Sequence, residues 1–263
     1  CHCGGATDHM TAPPPTVALI IVAYHHAAHL PATFAALRRL DPATDHQIIL
    51  VENGDGDSAA VARHDAEITI LEPGRNLGFA GGCNYAVAQT QAEIVVLINP
   101  DVQPKPNFVR NLVAPLADPQ VGIVGAKLLY PDGHTLQHAG GYLQPPLMLA
   151  QHHGYGERDT GQYDTPRSVE FVTGAAVAAR RTAWLELGGL DEAFYPAYYE
   201  EVDLAWRVRQ RGLQVRYEPS AVALHQEAAG LGTHSELYYR LYHRNRLRLI
   251  FKHMSNAWLL RTW

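Results

Sequence analysis

Two groups of carboxylates in this chain have residue types and positions suited to cation binding and proton transfer. Asn99-Pro100-Asp101 directly follows the apolar run 93–98, and Glu200-Glu201-Val202-Asp203, about a hundred residues later, opens a predicted helix. A strand of an α/β sheet that ends at an aspartate delivers this carboxylate to the edge where such folds bind ligands. We expect Asp101 to hold a divalent cation with a diphosphate, and a carboxylate of the second group to accept a proton.

Each group also has a purely structural interpretation. Asn-Pro-Asp is a favourable turn sequence, and carboxylates in a first helical turn interact well with the helix dipole. The helical interpretation suits Asp203, because Arg207 lies four residues later and can form an ion pair with it. It suits Glu200 and Glu201 less well, because they follow the aromatic-rich segment 194–199, which is typical of a wall that faces a sugar.

His225 and a glycine-rich loop are further candidates. His225 ends a predicted strand, and its neutral imidazole could be a third metal ligand, although 15 histidines in the chain make this position alone weak evidence. The segment Arg75-Asn76-Leu77-Gly78-Phe79-Ala80-Gly81-Gly82 resembles a phosphate-binding loop at a helix N-terminus. Its glycine spacing differs from the dinucleotide fingerprint, so a Rossmann cofactor site is not expected.

Alternating strands and helices in the first half predict a doubly wound, mostly parallel α/β sheet. Residues 17–24 form an uninterrupted apolar run, as expected of a strand covered on both faces. A helix at 30–40 has apolar residues at helical spacing and is ended by Asp41-Pro42. The other strands of this half are predicted at 47–52, 68–71 and 94–98, and the other helices after Asp57 or Ser58 and at 78–89.

The second half is less regular. A strand at 121–126 precedes residues 127–168, which are rich in Gly, Pro, His and Tyr and are predicted to form loops or hairpins. Strands are expected at 170–179, 215–217 and 221–225, and helices at 181–187, 200–211 and 236–253. With no linker, residues 16–235 are predicted to form one domain with halves at 16–120 and 121–235, followed by a C-terminal basic helix in 236–263.

Composition narrows the class of protein. The chain has 263 residues, 47% hydrophobic and 18% charged, as is usual for a globular domain. It lacks an apolar run of the roughly 18 residues that a spanning helix needs, and it lacks a signal-peptide pattern. Three cysteines do not make a disulfide framework, so we expect a reducing, cytoplasmic location. Residues 1–15, which contain Cys1-His2-Cys3, are expected to be a disordered or tag-like tail.

Positive charge is concentrated at the C-terminal end. Residues 236–263 carry one acid, Glu236, and six cations, a net charge of +5, so the rest of the chain carries −10; the cations are Arg240, Arg244, Arg246, Arg248, Lys252 and Arg261. An acidic body argues against general nucleic-acid binding. Either the helix packs on the domain with its cations in water, or it attaches the protein peripherally to the anionic inner face of the cytoplasmic membrane.

Six segments, in order and in register, resemble family 2 glycosyltransferases, and within these the bacterial rhamnosyltransferase-like branch. They are 17–24, Val51-Glu52-Asn53, Gly74-Arg75-Asn76-Leu77-Gly78-Phe79-Ala80, Leu97-Ile98-Asn99-Pro100-Asp101, Gly188-Gly189-Leu190-Asp191-Glu192 and Tyr199-Glu200-Glu201-Val202-Asp203-Leu204. The resemblance implies a GT-A fold, Mg2+ or Mn2+, a dTDP-, UDP- or GDP-linked sugar donor and an inverting displacement. The transferred unit would be hexosyl or deoxyhexosyl, rhamnosyl among them, and the acceptor a glycan or lipid-linked molecule of polysaccharide or cell-envelope biosynthesis.

By position, the resemblance also assigns roles to single residues. It makes 16–120 the nucleotide-sugar half and 121–235 the acceptor and catalytic half. Tyr24 and Glu52 would contact the base and ribose, and Asp101 would bind the metal with His225 beside it. Glu201 would be the base, with its neighbour Glu200 as the other candidate. The donor-binding residues would be Tyr24, Glu52, Asn53, Arg75, Gly78, Asn84, Asn99 and Asp101.

Three positions depart from the family pattern. Asn99 stands where the first aspartate of D-x-D is found, and Glu201 stands where aspartate is commoner. Tyr24 is followed by His25-His26 instead of the usual asparagine, which leaves the nucleobase open. A nucleotidyltransferase is an alternative, but it would need a basic glycine-rich loop directly after the first strand. A non-catalytic sugar-nucleotide-binding module is the third hypothesis, favoured only by the changes at 99 and 201.

Overall fold

The computed structural model describes residues 17–42, 44–226 and 235–255, so the expected tail at 1–15 and the end of the chain after 255 lie outside it. The strands are β1 Val17–Ala23, β2 His46–Glu52, β3 Ile68–Leu71, β4 Ile94–Ile98, β5 Val102–Pro104, β6 Val121–Leu129, β7 Leu136–His138, β8 Gly141–Gln144, β9 Leu149–His152, β10 Arg167–Ser168, β11 Ala176–Arg180 and β12 Gln214–His225. The helices are α1 Leu30–Leu37, α2 Asp57–Ala62, α3 Gly78–Gln89, α4 Phe108–Val113, α5 Arg181–Leu187, α6 Glu200–Gln210 and α7 Glu236–His253.

One mixed sheet organises the described chain. Its strand order is β10-β12-β6-β11-β4-β1-β2-β3, with β5 paired to β12 and β7 paired to β6. The first half supplies the parallel strands β4, β1, β2 and β3. β11 is inserted antiparallel between β4 and β6 and joins this half to the second. The mostly parallel α/β sheet predicted from the sequence is confirmed.

Helices cover both faces of the sheet because its strands are apolar on both faces. In β1, Ala18, Ile20 and Val22 belong to one core, which also contains residues of α3, α5, α6 and α7. Leu19 and Ile21 belong to the other core, with residues of α1 and α4. This double burial explains the uninterrupted apolar runs. No helix of the described ranges has the length and apolar content needed to cross a bilayer.

The second half differs from the prediction in its details. The strand expected at 170–179 is shorter and spans Ala176–Arg180. Before it, Phe171 forms only an isolated bridge to Gly141, and the Ala175 carbonyl accepts from the amide of Asn99, which is not in a strand. The two strands expected near 215–225 are one strand, β12, with a register shift between Glu218 and Val222. The short elements β5 and α4 were not predicted.

Candidate active site

The carboxyl ends of β1, β2 and β4 form one edge of the sheet and gather several predicted donor-binding residues. β1 lies between β2 and β4, so Tyr24, Glu52 and Asp101 follow or end neighbouring strands. Glu52 and Tyr24 both lie close to Gly54, because a Cβ placed on this glycine would be 3.2 Å from Glu52 Oε1 and 3.6 Å from the Tyr24 ring. Tyr24 is exposed, whereas Glu52 and Asp101 are buried. An exposed aromatic ring at this edge offers a surface on which a planar base can stack.

Asp101 and His225 come together because the three-residue strand β5 pairs with the end of β12. Val102, which follows Asp101, lies opposite His225 in this antiparallel pair. As a result, Asp101 Oδ1 lies 3.1 Å from His225 Nε2. Nδ2 of Asn99 lies 3.4 Å from the same nitrogen. The structure therefore joins the Asn99-Pro100-Asp101 turn to the predicted histidine ligand.

Gln137 of β7 sets the orientation and the tautomer of the His225 ring. Its Oε1 lies 2.6 Å from His225 Nδ1. Because an amide oxygen only accepts, Nδ1 must carry the proton, and in the neutral ring Nε2 then presents a lone pair towards Asp101. Two acceptors this close repel each other unless a proton or a cation lies between them. A carboxylate oxygen and an imidazole nitrogen are suitable ligands for a divalent cation, so these residues fit the expected metal.

The surroundings of Asp101 favour its anionic form. Burial alone would raise the pKa of this carboxyl, but when a proton lies between Asp101 and His225, the hydrogen bond and charge of the protonated His225, together with the charge of His26, hold the pKa below its usual value. Burial in turn lowers the pKa of His26, against the opposing effect of Asp101. Asp101 is thus available as a charged ligand at neutral pH.

Glu52 and Asn53 hold the loops around the donor side through hydrogen bonds to the backbone. Glu52 accepts with both oxygens, from the amides of Gly54 and Ala59, each over 2.7 Å. Asn53 is buried and accepts from the Leu77 amide over 2.7 Å. Both side chains therefore shape the loops on which a nucleotide would rest.

The backbone amides where the loop before α3 meets the helix are already hydrogen-bonded to other groups of the protein. Gly78 has a φ of +71°, and a Cβ there would lie 2.7 Å from the Tyr195 ring, so glycine is required. The Gly78 amide donates to Asn76 Oδ1 over 2.7 Å, and the Phe79 amide donates to the Pro196 carbonyl over 2.8 Å. These amides already have acceptors, which weakens the interpretation of this helix N-terminus as a phosphate-binding loop.

Arg75 and Asn84 flank this loop and differ in how they are held. Arg75 is exposed. Asn84 donates to the Leu190 carbonyl over 2.8 Å and accepts from the Leu190 amide over 3.0 Å. It also lines a cavity of about 350 Å³ with Glu192 and Lys252. Arg75 is therefore the freer of the two to contact a ligand, and Asn84 joins α3 to the loop after α5.

The two candidate bases begin α6. Glu200 is buried and Glu201 is partly exposed. Burial raises the pKa of Glu200, and the charge of Glu201 adds to this effect. Burial also raises the pKa of Glu201, to about 7, against nearby backbone amides that lower it. A partly exposed carboxyl with a pKa near neutrality can both reach a substrate and accept its proton, so Glu201 is the better placed base.

Glu201 lies next to the backbone segment that bonds the Asn99-Pro100-Asp101 turn. A Cβ placed on Gly174 would lie 3.6 Å from the Glu201 Cβ. The carbonyl of the next residue, Ala175, accepts from the Asn99 amide over 2.9 Å. Glu201 and the Asn99-Pro100-Asp101 turn thus contact neighbouring residues, 174 and 175, of the same segment.

The backbone that leads into α6 is held by the C-terminal helix. Tyr198 and Tyr199 have φ values of +81° and +74°, which residues other than glycine seldom adopt. Asn245 of α7 is fully buried. Its Nδ2 lies 2.7, 2.9 and 3.0 Å from the carbonyl oxygens of Phe194, Ala197 and Tyr198. α7 therefore fixes the loop that presents both glutamates.

Asp203 joins α6 to the end of α7. The expected ion pair is present, since Arg207 Nε donates to Asp203 Oδ2 over 2.8 Å. Asp203 Oδ1 lies 2.7 Å from both Lys252 Nζ and His253 Nε2. Burial would raise the pKa of Asp203, but these hydrogen bonds and charges lower it below the usual value. These contacts give Asp203 a structural role.

Gln137 and Asn245 are site residues that the sequence reasoning missed. Gln137 lies in the region predicted only as loops or hairpins, and its contact with His225 joins residues far apart in the chain. The sequence did contain a sign that Asn245 is buried, because Leu241 and Leu249 lie one helical turn before and after it. All three residues are buried in the structure. A polar residue on the apolar face of a helix marks a specific hydrogen bond.

Comparison with known proteins agrees with this geometry. The profile of a family described as glycosyltransferase like family 2 matches residues 13–251. The N-acetylglucosaminyl-diphospho-decaprenol L-rhamnosyltransferase of Mycobacterium tuberculosis is 27% identical over 91% of this chain and 85% of its own length. An uncharacterized protein of Sinorhizobium fredii, y4gI, is 30% identical over 93% of this chain, which spans only 28% of that relative.

Solved structures share the fold at low sequence identity. GalNAc-T7 with UDP, GalNAc and Mn2+ superposes with a TM-score of 0.70 at 14% identity, over 90% of this chain and 48% of that one. A mannosyltransferase from Pyrobaculum calidifontis with GDP-Man and Mn2+ gives a TM-score of 0.61 at 20% identity, over 84% of this chain and 59% of that one. These likenesses confirm the expected GT-A architecture. Together with the family match over most of the chain, they identify this protein as a glycosyltransferase that belongs to family 2.

Proposed function

We propose that this protein moves a hexosyl or deoxyhexosyl unit from a nucleoside-diphosphate sugar to a hydroxyl of a glycan or lipid-linked acceptor, with inversion. One observation carries the proposal. Asp101 lies beside His225 Nε2 in a turn that bonds the Ala175 carbonyl, and Glu201, a carboxyl with a pKa of about 7, lies beside the neighbouring Gly174. A rhamnosyl unit is the first to test, because a relative aligned over most of both chains is named a rhamnosyltransferase.

On the donor side, Asp101 and His225 would hold Mg2+ or Mn2+. Such a cation, bound to the diphosphate, stabilises the negative charge of the leaving nucleoside diphosphate. The exposed ring of Tyr24 would stack on the base, and Arg75 would reach the donor from the loop before α3. Glu52 and Asn53 would act by holding the donor-side loops through their backbone hydrogen bonds. UDP, GDP and dTDP sugars all remain candidates.

On the acceptor side, Glu201 would remove the proton of the attacking hydroxyl. As the acceptor oxygen forms its bond to the anomeric carbon, the bond from that carbon to the diphosphate oxygen breaks, and the diphosphate takes the electron pair. The proton ends on the Glu201 carboxyl. A single displacement of this kind inverts the anomeric configuration. A base with a pKa near the working pH suits this transfer.

Neither alternative hypothesis is favoured. The family match gives no support to a nucleotidyltransferase. A non-catalytic binding module would not need a carboxyl with a pKa near neutrality, and its main support was the neutral Asn99. The charged ligand Asp101 and the oriented His225 compensate for this change, because Gln137 leaves the Nε2 lone pair of His225 free to ligate.

The acceptor is the least determined part of the reaction. The mycobacterial relative is named for a diphospho-decaprenol substrate, which is lipid-linked. We therefore propose a lipid-linked acceptor in polysaccharide or cell-envelope biosynthesis, and action at the inner face of the cytoplasmic membrane.

A panel of UDP-, GDP- and dTDP-sugars, each with and without Mn2+, tests the donor part by thermal shift. A ligand at 100 times its Kd stabilises the folded state by about 2.7 kcal/mol, so the correct donor raises Tm by several degrees, and more with Mn2+. The stabilising donor is then incubated with a polyprenyl-diphosphate sugar, and the lengthened product is detected by mass. The proposal fails if every donor leaves Tm unchanged at millimolar concentration with Mn2+ present.

A further inference from the structure

α7 is bound to the domain by one face. Leu241, Asn245, Leu249 and Ile250 are buried. Arg246, which lies between Leu249 and Ile250 around the helix, donates to the Leu147 carbonyl over 2.6 Å. These contacts define which side of the helix faces outward.

The outward face carries large apolar side chains. Leu237 is 48% exposed, Leu247 39% and Phe251 70%. At 3.6 residues per turn, these three lie within an arc of about 80° along four turns. Single exposed apolar residues are ordinary, but an aligned row of this length is typical of an interaction surface.

Three arginines run along the same face. Arg240, Arg244 and Arg248 follow at four-residue spacing, where like charges repel and destabilise a helix. After burial, which has the largest effect, the charges of Arg248 and Arg240 lower the pKa of Arg244. The one acid of α7 is Glu236, in its first turn. An anionic partner would relieve a repulsion that the helix itself leaves unbalanced.

The same surface continues onto the loop that contains Tyr195. Arg244, in the outward row, donates to the Tyr195 carbonyl. The side chain of Tyr195 is exposed. Tyr195 belongs to the loop that leads into α6, so the outward row of α7 is joined to the segment that precedes Glu201.

We propose that this surface binds the anionic headgroup layer of a phospholipid bilayer, with its apolar side chains inserted in the interface. It consists of Leu237, Arg240, Leu247, Arg248 and Phe251 of α7 with Tyr195. Arginines interleaved with leucine and phenylalanine match an interface that is anionic at its surface and apolar beneath. A second copy of the chain is a poor occupant, because two such faces would bring two rows of arginines together.

Co-sedimentation with vesicles tests this binding without donor or acceptor, so its failure is separate from a failure of the proposed reaction. One set of vesicles is phosphatidylcholine alone, and the other contains one part phosphatidylglycerol to two parts phosphatidylcholine. The wild type should sediment only with the anionic vesicles, and salt should release it as the charges are screened. The double variant Arg240→Gln/Arg248→Gln should partition on the order of 20-fold less, about fivefold for each charge.

A second variant and a matched control complete the test. Leu247→Glu/Phe251→Glu should abolish sedimentation. Val61→Glu/Arg63→Gln, at the C-terminal end of α2, changes an apolar residue of similar exposure, 37%, and an exposed arginine, and should bind as the wild type does. Equal sedimentation of all variants, or none by the wild type at low salt, overturns the proposal. So does a dimer in light scattering that Leu247→Glu/Phe251→Glu dissociates, because the surface would then bind a second copy.

Discussion

Asp101 and Glu201, the two carboxylates of the proposed reaction, are held in place by different means. Asp101 is placed by backbone pairing, because it lies between β4 and β5 and β5 pairs with the end of β12. Glu201 begins a helix whose preceding loop is tied by side chains of α7, such as Asn245, more than forty residues later in the chain. From this comparison we expect that changes in α7 can disturb the proposed base while the Asn99-Pro100-Asp101 turn stays intact.

The largest effect is expected for Glu201→Gln, which removes the proton acceptor and keeps nearly the same shape. Transfer should fall by about 10²–10⁴-fold, and donor binding should hardly change. Initial rates and donor titration measure the two effects. Glu200→Gln is the control, and a larger loss of turnover in this variant with folding intact would move the base to Glu200.

The next largest effect is expected on the affinity for Mn2+. Gln137→Leu removes the acceptor that fixes the His225 tautomer, and loss of such a partner typically weakens a metal site about 10–100-fold. Titration with Mn2+ measures the affinity, and Gln144→Leu on the exposed face of β8 is the matched control. An unchanged Mn2+ affinity would show that His225 is not a ligand.

Asn245→Leu tests whether α7 holds the loop that precedes Glu201. It leaves three carbonyl oxygens without their donor, which should reduce the free energy of unfolding by about 1–3 kcal/mol. Below the melting temperature, kcat should fall while the donor Kd stays unchanged. Ile250→Val is the control, because it loosens α7 packing by about 0.5–1.5 kcal/mol and keeps the Asn245 side chain that bonds the loop. If both variants lower kcat alike, Asn245 contributes stability only.

A smaller effect is expected from pH. Burial raises the pKa of Glu201 to about 7, and only the ionised form can accept a proton. The transfer rate should therefore rise about tenfold from pH 6 to a plateau above pH 8. Folding stability should change in the opposite direction, because a raised carboxyl pKa costs stability as the pH rises from the unfolded value through about 7. A flat rate profile would argue that Glu201 is not the base.

The sequence predicted the strand ends better than it predicted the groups that orient them. Apolar runs located β1, β2 and β4, and with them Tyr24, Glu52 and Asp101, because buried parallel strands have a strong signature. β5 has three residues and no such signature, so the pairing that brings His225 to Asp101 was not predicted, although the strand-end position of His225 and the family resemblance both suggested it as a metal ligand. The partners Gln137 and Asn245 act across long sequence separations, which local patterns do not encode.

The central claim is that Asp101 serves donor binding and Glu201 serves proton transfer. Donor affinity and turnover, measured together for a variant of each residue, test it most directly. Calorimetric titration with Mn2+ and the nucleoside-diphosphate sugar is paired with the rate of transfer. We predict that Asp101→Asn lowers donor affinity and rate together, because it removes the charged ligand, and that Glu201→Gln lowers the rate alone. If Asp101→Asn binds Mn2+ and donor as the wild type does, Asp101 is only a turn residue and the account is contradicted.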